Sequence, residues 1–190
     1  MAGRLLIARL GPTPVDPSAL GALRRLFEGL RETLLDLDVP IDEFQGFNAE
    51  IAALPYAYDE ALGGLLLLGL EPREGPDALC VRDATSGALL RGAPVACVAL
   101  KALPAAGPGA GEIKRLFVAP AARARGHGRT MTLRLMAEAR AAGVAALVLD
   151  TLERLPAALA LYRSLGFTPR PPYVHNPMPD VHFLELKLTL

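Results

Sequence analysis

A single mixed α/β domain is the fold class this sequence predicts, on three observations. The second half runs strand, basic glycine loop, helix, strand (Glu112–Val118, Arg123–Gly128, the helical stretch to Gly143, Ala145–Asp150), a βαβ crossover that joins parallel strands. The ends of the chain, Arg4–Leu10 and Val181–Leu190, alternate as strands do. The length of 190 residues suffices for one domain with a full core and is short for two, so residues 1–190 are read as one domain.

The elements follow in order. After the first strand, Gly11-Pro12-Thr13-Pro14 breaks the chain. Asp16-Pro17 starts a helix, an N-cap acceptor followed by proline at the first helical position. Leu20, Leu23, Leu26 or Phe27, Leu30 and Leu34 recur at helical spacing, and Pro40 ends the pattern. Asp42 is read as the cap of a second helix through Phe44, Phe47 and Ile51, closed by Pro55. The apolar stretch Ala61–Leu70 suits a helix end or a strand, because it has no period. Ala78–Arg82 and Pro94–Lys101 read as strands around a turn at Asp83–Gly87, and Pro104–Gly111 as a loop. Past the glycine loop, Met131, Leu133, Leu135, Met136 and Ala139 form the apolar face of a helix stopped by Gly143. Ala145–Asp150 is wholly apolar until its last residue, as a central strand covered on both faces would be. Pro156–Leu165 is a last helix, ended by Gly166.

Composition narrows the function classes. Hydrophobic residues make up 52% and charged residues 21%, a globular balance. The longest apolar run, Leu62–Leu70, is far short of the ~20 residues of a membrane span, and Met1–Leu10 lacks the order of a signal peptide. The expectation is a cytoplasmic protein without a membrane partner, and a homodimer stays open. Twenty basic and twenty acidic residues cancel, which argues against nucleic acid as a partner. Cys80 and Cys97 are expected as buried free thiols, and His127, His175 and His182 show no metal-ligand spacing.

The glycine loop carries the chemistry. Arg123-Ala124-Arg125-Gly126-His127-Gly128-Arg129 opens a helix, whose N-terminus offers unpaired N–H groups and partial positive charge. Glycine lets the backbone approach a bulky anion, and Arg123, Arg125 and Arg129 add phosphate-pairing charge. A pyrophosphate is the implied ligand, although an isolated Gly-x-Gly serves ordinary turns about as often. A Walker loop would need lysine then Ser or Thr, and Arg129-Thr130 is not that; a Rossmann fingerprint would need three glycines near the first strand.

Two segments together are more specific. EIKRLFVAP followed by RARGHGRTMTLRL resembles motif A of the GNAT N-acetyltransferase superfamily, with Arg123, Gly126 and Gly128 on its Gln/Arg-x-x-Gly-x-Gly/Ala pattern. LALYRSLGF, Leu159 to Phe167, resembles motif B, whose helix carries a tyrosine and ends in a Leu-Gly-Phe turn. The resemblance is strong from Pro94 to Pro172 and weaker from Phe44 to Pro55. It implies a GNAT fold: a twisted, mostly antiparallel sheet, helices on both faces, and one parallel pair splaying apart near Val118. It implies acetyl-CoA as co-substrate and an amine as acceptor. The cofactor would run along the backbone of Leu116, Phe117 and Val118 and end on Arg123, Ala124, Arg125, Gly126, His127, Gly128, Arg129 and Thr130. Many relatives carry asparagine seven residues before the motif B tyrosine; Leu155 stands here. Leu155 and Ala158 are then expected to pack on the pantetheine arm, with Thr151 supplying a polar group.

Attack of an amine on a thioester needs a proton removed, a carbonyl polarised and a thiolate protonated. Tyr162 is the candidate general acid and Glu112 the candidate base. The alternative for Tyr162 is a core tyrosine, over which motif B favours the acid, and for Glu112 a solvated strand-end charge, which is equally open. Tyr56, Tyr58, Tyr173, His175 and Asn176 are candidate acceptor contacts. Competing functions are a non-catalytic acetyl-CoA sensor, an acyltransferase using another acyl-CoA or an oxygen acceptor, and nucleotide binding through the loop.

Overall fold

The computed structural model describes residues 4–11 and 15–188. The expected break at Pro12–Pro14, the start of the Met1–Leu10 stretch, and Thr189 and Leu190, expected at the end of the final strand, lie outside them. An eight-stranded sheet is built from β1 (Leu6–Leu10), β2 (Leu65–Pro72), β3 (Leu79–Arg82), β4 (Leu89–Ala102), β5 (Ala110–Val118), β6 (Ala146–Leu152), β7 (Thr168–Pro169) and β8 (Val181–Lys187). Among the described residues, five α-helices accompany it: α1 (Pro17–Leu35), α2 (Ile41–Gln45), α3 (Phe47–Ala52), α4 (His127–Ala141) and α5 (Pro156–Ser164). The strand order is β1-β2-β4-β5-β6-β8-β7, with β3 paired to β4. All pairs are antiparallel except β5 with β6. No helix among the described residues is long and apolar enough to cross a membrane.

Alternation on the strands divides the core into two layers. Leu66, Leu68 and Leu70 of β2 face one side, packing with Leu23 and Phe27 of α1 and Phe47 of α3. Leu65 and Leu67 face the other, with Met131 and Leu135 of α4 and Tyr162 of α5. The ambiguous stretch before Leu70 is therefore a strand from Leu65, buried on both faces, which is why it shows no period. Asp16 caps α1 as expected, accepting from the N–H groups of Ser18 and Ala19. Gly29 lets α1 lie close on β5: a Cβ there would meet the Phe117 ring at 3.1 Å.

Several expectations are corrected. The second helix is two short ones, broken at Gly46 in the left-handed region (φ 60°). Asp42 does not cap it; Pro40 holds that position, and Asp42 binds Arg31 of α1. Leu133 is exposed, so the buried face of α4 is Met131, Leu135, Met136 and Ala139. Cys97 is buried but Cys80 is exposed. The parallel pair holds only at Ala110, Gly111 and Glu112 against Ala146, Leu147 and Val148. The strands therefore part at Ile113, well before Val118, and the gap extends along most of β5.

Candidate active site

Three cavities meet along that gap. The first, about 380 Å³, lies between the end of β5, the glycine loop and the start of α5, under Leu30 and Leu34 of α1. The second, about 140 Å³, shares Leu30, Leu34, Leu116, Leu155 and Ala158 with the first and reaches Tyr162. The third, about 240 Å³, shares Phe44, Gln45, Lys114, Arg115 and Asp150 with the second and is bordered by Glu112 and His175. Shared walls set them in a row of adjoining cavities, called the channel below, from the glycine loop, past Tyr162, to the tail before β8.

The loop end suits an anion. Gly126 sits at φ 81°, a left-handed conformation that a Cβ disfavours, and precedes the first residue of α4. Among the described residues, no N–H from Ala124 to Arg129 donates to another group of the chain. No acidic side chain occupies the first turn. A run of free N–H groups at a helix N-terminus beside a cavity fits a phosphate-bearing ligand.

The side chains of this loop are engaged by the protein itself. Arg125 donates to Glu71 (2.7 Å), and His127 Nε2 lies 2.7 Å from the same oxygen, buried beneath the loop. Glu71 is held below the usual carboxylate range by His127 first and then by Arg125, against the opposing effect of burial. Arg129 donates to Ser164, Thr130 to the Gly126 carbonyl, and Arg123 to the Val118 carbonyl while lying over the Phe117 ring. Free backbone donors and braced side chains give the loop a fixed shape.

The reacting end is set by β5, α5 and the tail. Tyr162 is 6% exposed, edge-on to Phe167 with centroids 5.5 Å apart. Its hydroxyl bonds to no described residue and is not sealed from the cavity it lines. Burial, and then the charge of Asp150, push its pKa well above the usual phenol value. Glu112 is 4% exposed and so is not a solvated charge. One of its oxygens accepts from Lys114 (3.2 Å) and from the Tyr173 hydroxyl (3.0 Å). Burial and the neighbouring Glu112 charge raise the Tyr173 pKa. Asn176 donates to Asp150 Oδ2 (2.7 Å) and fixes its own turn by accepting from the Met178 N–H. Thr151, Leu155 and Ala158 line the central cavity. Tyr56 is 63% exposed and lines none of the three cavities. Tyr58, two residues on, lines the third.

Beside these residues lies a cluster whose pairing is not legible in any local pattern. Arg115 donates to both oxygens of Glu50 (2.8 and 2.6 Å) and to Gln45, and stacks 4.3 Å above the Phe47 ring. The Tyr58 hydroxyl donates to Glu50 as well (2.6 Å). Burial would raise the Glu50 pKa, but the Arg115 hydrogen bonds and charge, with Tyr58, hold it low. Arg115 has φ 59° where β5 sets two residues against one of β4, a β-bulge. The consecutive Lys114 and Arg115, interrupting an apolar strand, are the local sign that alternation fails there.

A sheet opened along one parallel pair, with a free-donor loop at the mouth of the gap, is the architecture of acyl-CoA N-acyltransferases. Residues 48–167 match the Acetyltransferase (GNAT) family, and the chain belongs to that family. It is 38% identical over 98 residues to an uncharacterised N-acetyltransferase of Schizosaccharomyces pombe, covering 52% of this chain and 59% of that protein. It is 44% identical over 81 residues to an IAA acetyltransferase of Azospirillum brasilense, covering 42% and 53%. The chain thus spans little more than half the length of these curated relatives. A phosphinothricin acetyltransferase from Sinorhizobium meliloti, solved with AcCoA, shares the fold with a TM-score of 0.66 over 99% of this chain and 89% of that one, at 21% identity.

Proposed function

We propose that this chain is an N-acetyltransferase that moves the acetyl group of acetyl-CoA to a primary amine by direct attack. The observation that carries the reading is the succession of adjoining cavities: free N–H donors at one end, a buried phenol in the middle and a polar chamber at the other. Bound acetyl-CoA supplies an activated acetyl thioester. The N–H groups from Ala124 to Arg129 hold its pyrophosphate, and Leu116, Phe117, Val118, Leu155 and Ala158 wall its arm. The β5 edge beyond Glu112 has no ladder partner on β6 and offers its amides to the arm. Tyr162, kept protonated by burial, gives its proton to the departing sulfur. Glu112 is the proton acceptor for the amine, acting from the wall of the third cavity. The α1 helix covers the channel and excludes water from the reacting end.

The test begins with binding. Acetyl-CoA is expected to raise the melting temperature, as a ligand of the native state does. Gly126→Asp sets a negative charge before the free N–H groups and is expected to remove most of that rise. Gly126→Asn carries similar backbone strain without the charge and is expected to keep more of it. Thiol release with a panel of primary amines then separates turnover from sensing. Equal binding by the wild type and a folded Gly126→Asp would refute the loop assignment. Acetyl-CoA binding without turnover on any amine would favour the sensor.

A further inference from the structure

Two carboxylates face the channel from neighbouring strands, and their surroundings differ. Glu112 is 4% exposed, borders only the third cavity, and already carries an ammonium, Lys114, and a phenol, Tyr173, on one oxygen. Asp150 is half-buried and borders both the central cavity, with Tyr162, and the third. Its one hydrogen-bond partner among the described residues is the neutral amide of Asn176, on Oδ2. Of the other charges that line the third cavity, Arg115 pairs with Glu50 and Lys114 with Glu112, while Lys101 is exposed and makes no ion pair among the described residues. Asp150 is thus the carboxylate at the junction without a cationic partner. Asp150 and Tyr162 line the same central cavity, and the Asp150 charge raises the phenol's pKa.

We infer that Asp150 is the acceptor-binding residue: its carboxylate, aligned by Asn176, receives the cationic ammonium of an alkyl amine at the junction of the central and third cavities. An alkyl amine, with a pKa of roughly 10, arrives as a cation at neutral pH. A half-buried carboxylate aligned by a neutral amide pairs with that charge. An alcohol or a neutral aromatic amine would leave the carboxylate unpaired and lose by comparison. The acceptor class is therefore the primary alkylammonium, held by Asp150, while Glu112 in the third cavity keeps its role as the proton acceptor. This assignment rests on the acetyltransferase reading for its chemical meaning, but the binding it asserts is measured separately.

The probe is n-butylammonium, with butan-1-ol as its uncharged counterpart, titrated into the full chain with and without CoA. The readout is the side-chain amide signal of Asn176 in ¹H–¹⁵N spectra, since that amide donates to Asp150. Butylammonium is expected to move the signal saturably and butanol to leave it in place. Asp150→Asn keeps an acceptor for Asn176 and is expected to weaken butylammonium binding at least about tenfold, the scale of losing a charge-assisted contact. Its CoA-induced melting shift is expected to persist, which shows that the variant is folded. Three results would each overturn the inference: no movement with butylammonium, equal binding of butanol, or binding that survives Asp150→Asn but is lost in Glu112→Gln. If CoA itself fails to stabilise the wild type, the acetyltransferase reading falls, while the titration still judges Asp150.

Discussion

Tyr162→Phe deletes one oxygen from the wall of the central cavity. The hydroxyl makes no hydrogen bond to any described residue, so its loss orphans no partner. The ring keeps its edge contact with Phe167. The stability change is therefore expected below about 1 kcal/mol, or a melting shift of no more than roughly 4 °C. The rate is another matter. Burial and Asp150 raise the phenol's pKa, which keeps it protonated at neutral pH and also makes it a weaker acid, so its proton moves only as charge develops on the sulfur. General-acid catalysis is worth about 10²–10⁴-fold, or about 2.7–5.4 kcal/mol of barrier. Single-turnover acetyl transfer to a primary amine, with acetyl-CoA affinity measured separately, is the assay. A large fall in rate at nearly constant affinity is expected, because the proton is given only as the sulfur leaves. A rate within about threefold of wild type would refute the general-acid role, being far below that range.

Two further outcomes concern the framework of the site. Glu50→Ala leaves the Arg115 guanidinium, 5% exposed, without its bidentate partner and deprives Tyr58 of an acceptor. Breaking a buried pair on one side costs about 3–5 kcal/mol, and a denaturant midpoint showing less than about 1 kcal/mol would reduce the cluster to a surface-type pair. The carboxyls of Glu50, Glu138 and Asp83 are each held low against their own burial: Glu50 by Arg115, Glu138 by Arg134, Thr85 and Arg9, Asp83 by Ser86, the Arg9 N–H and Arg134. A carboxyl depressed in the folded state adds stability above its ordinary pKa, 4.5 for Glu and 3.8 for Asp, and loses it as pH falls through the depressed value. Melting temperature is expected to hold above about pH 5 and to drop steadily below it. A flat profile from about pH 5 to 2.5 would contradict the pairing.

What the sequence revealed is what is local. The crossover around Arg123–Gly128 needs only neighbours in sequence: a strand, two glycines and a helical period. The Asp16-Pro17 start of α1 is local in the same way. Arg115 and Glu50 are 65 residues apart, and nothing near either one announces the other. The break at Gly46 was hidden because Phe44, Phe47 and Ile51 keep a helical rhythm across it. The stretch before Leu70 misled for the opposite reason: a strand buried on both faces carries no rhythm. The tyrosine choice shows the limit of composition, since Tyr56 and Tyr58 are alike in sequence, yet a three-residue 3₁₀ turn sends one outward and the other onto Glu50.

The three-residue contact between β5 and β6 gives the sheet a pair of interior margins. A free strand margin is ordinarily a hazard, because another chain can dock on its open amides. Here the open amides of β5 lie inside the molecule, beneath Leu30 and Leu34 of α1 and against the first residues of α5. A slender arm can reach them, whereas a whole foreign strand would have to displace a helix. The protein thereby keeps polar backbone in reserve for a ligand without offering a template for aggregation.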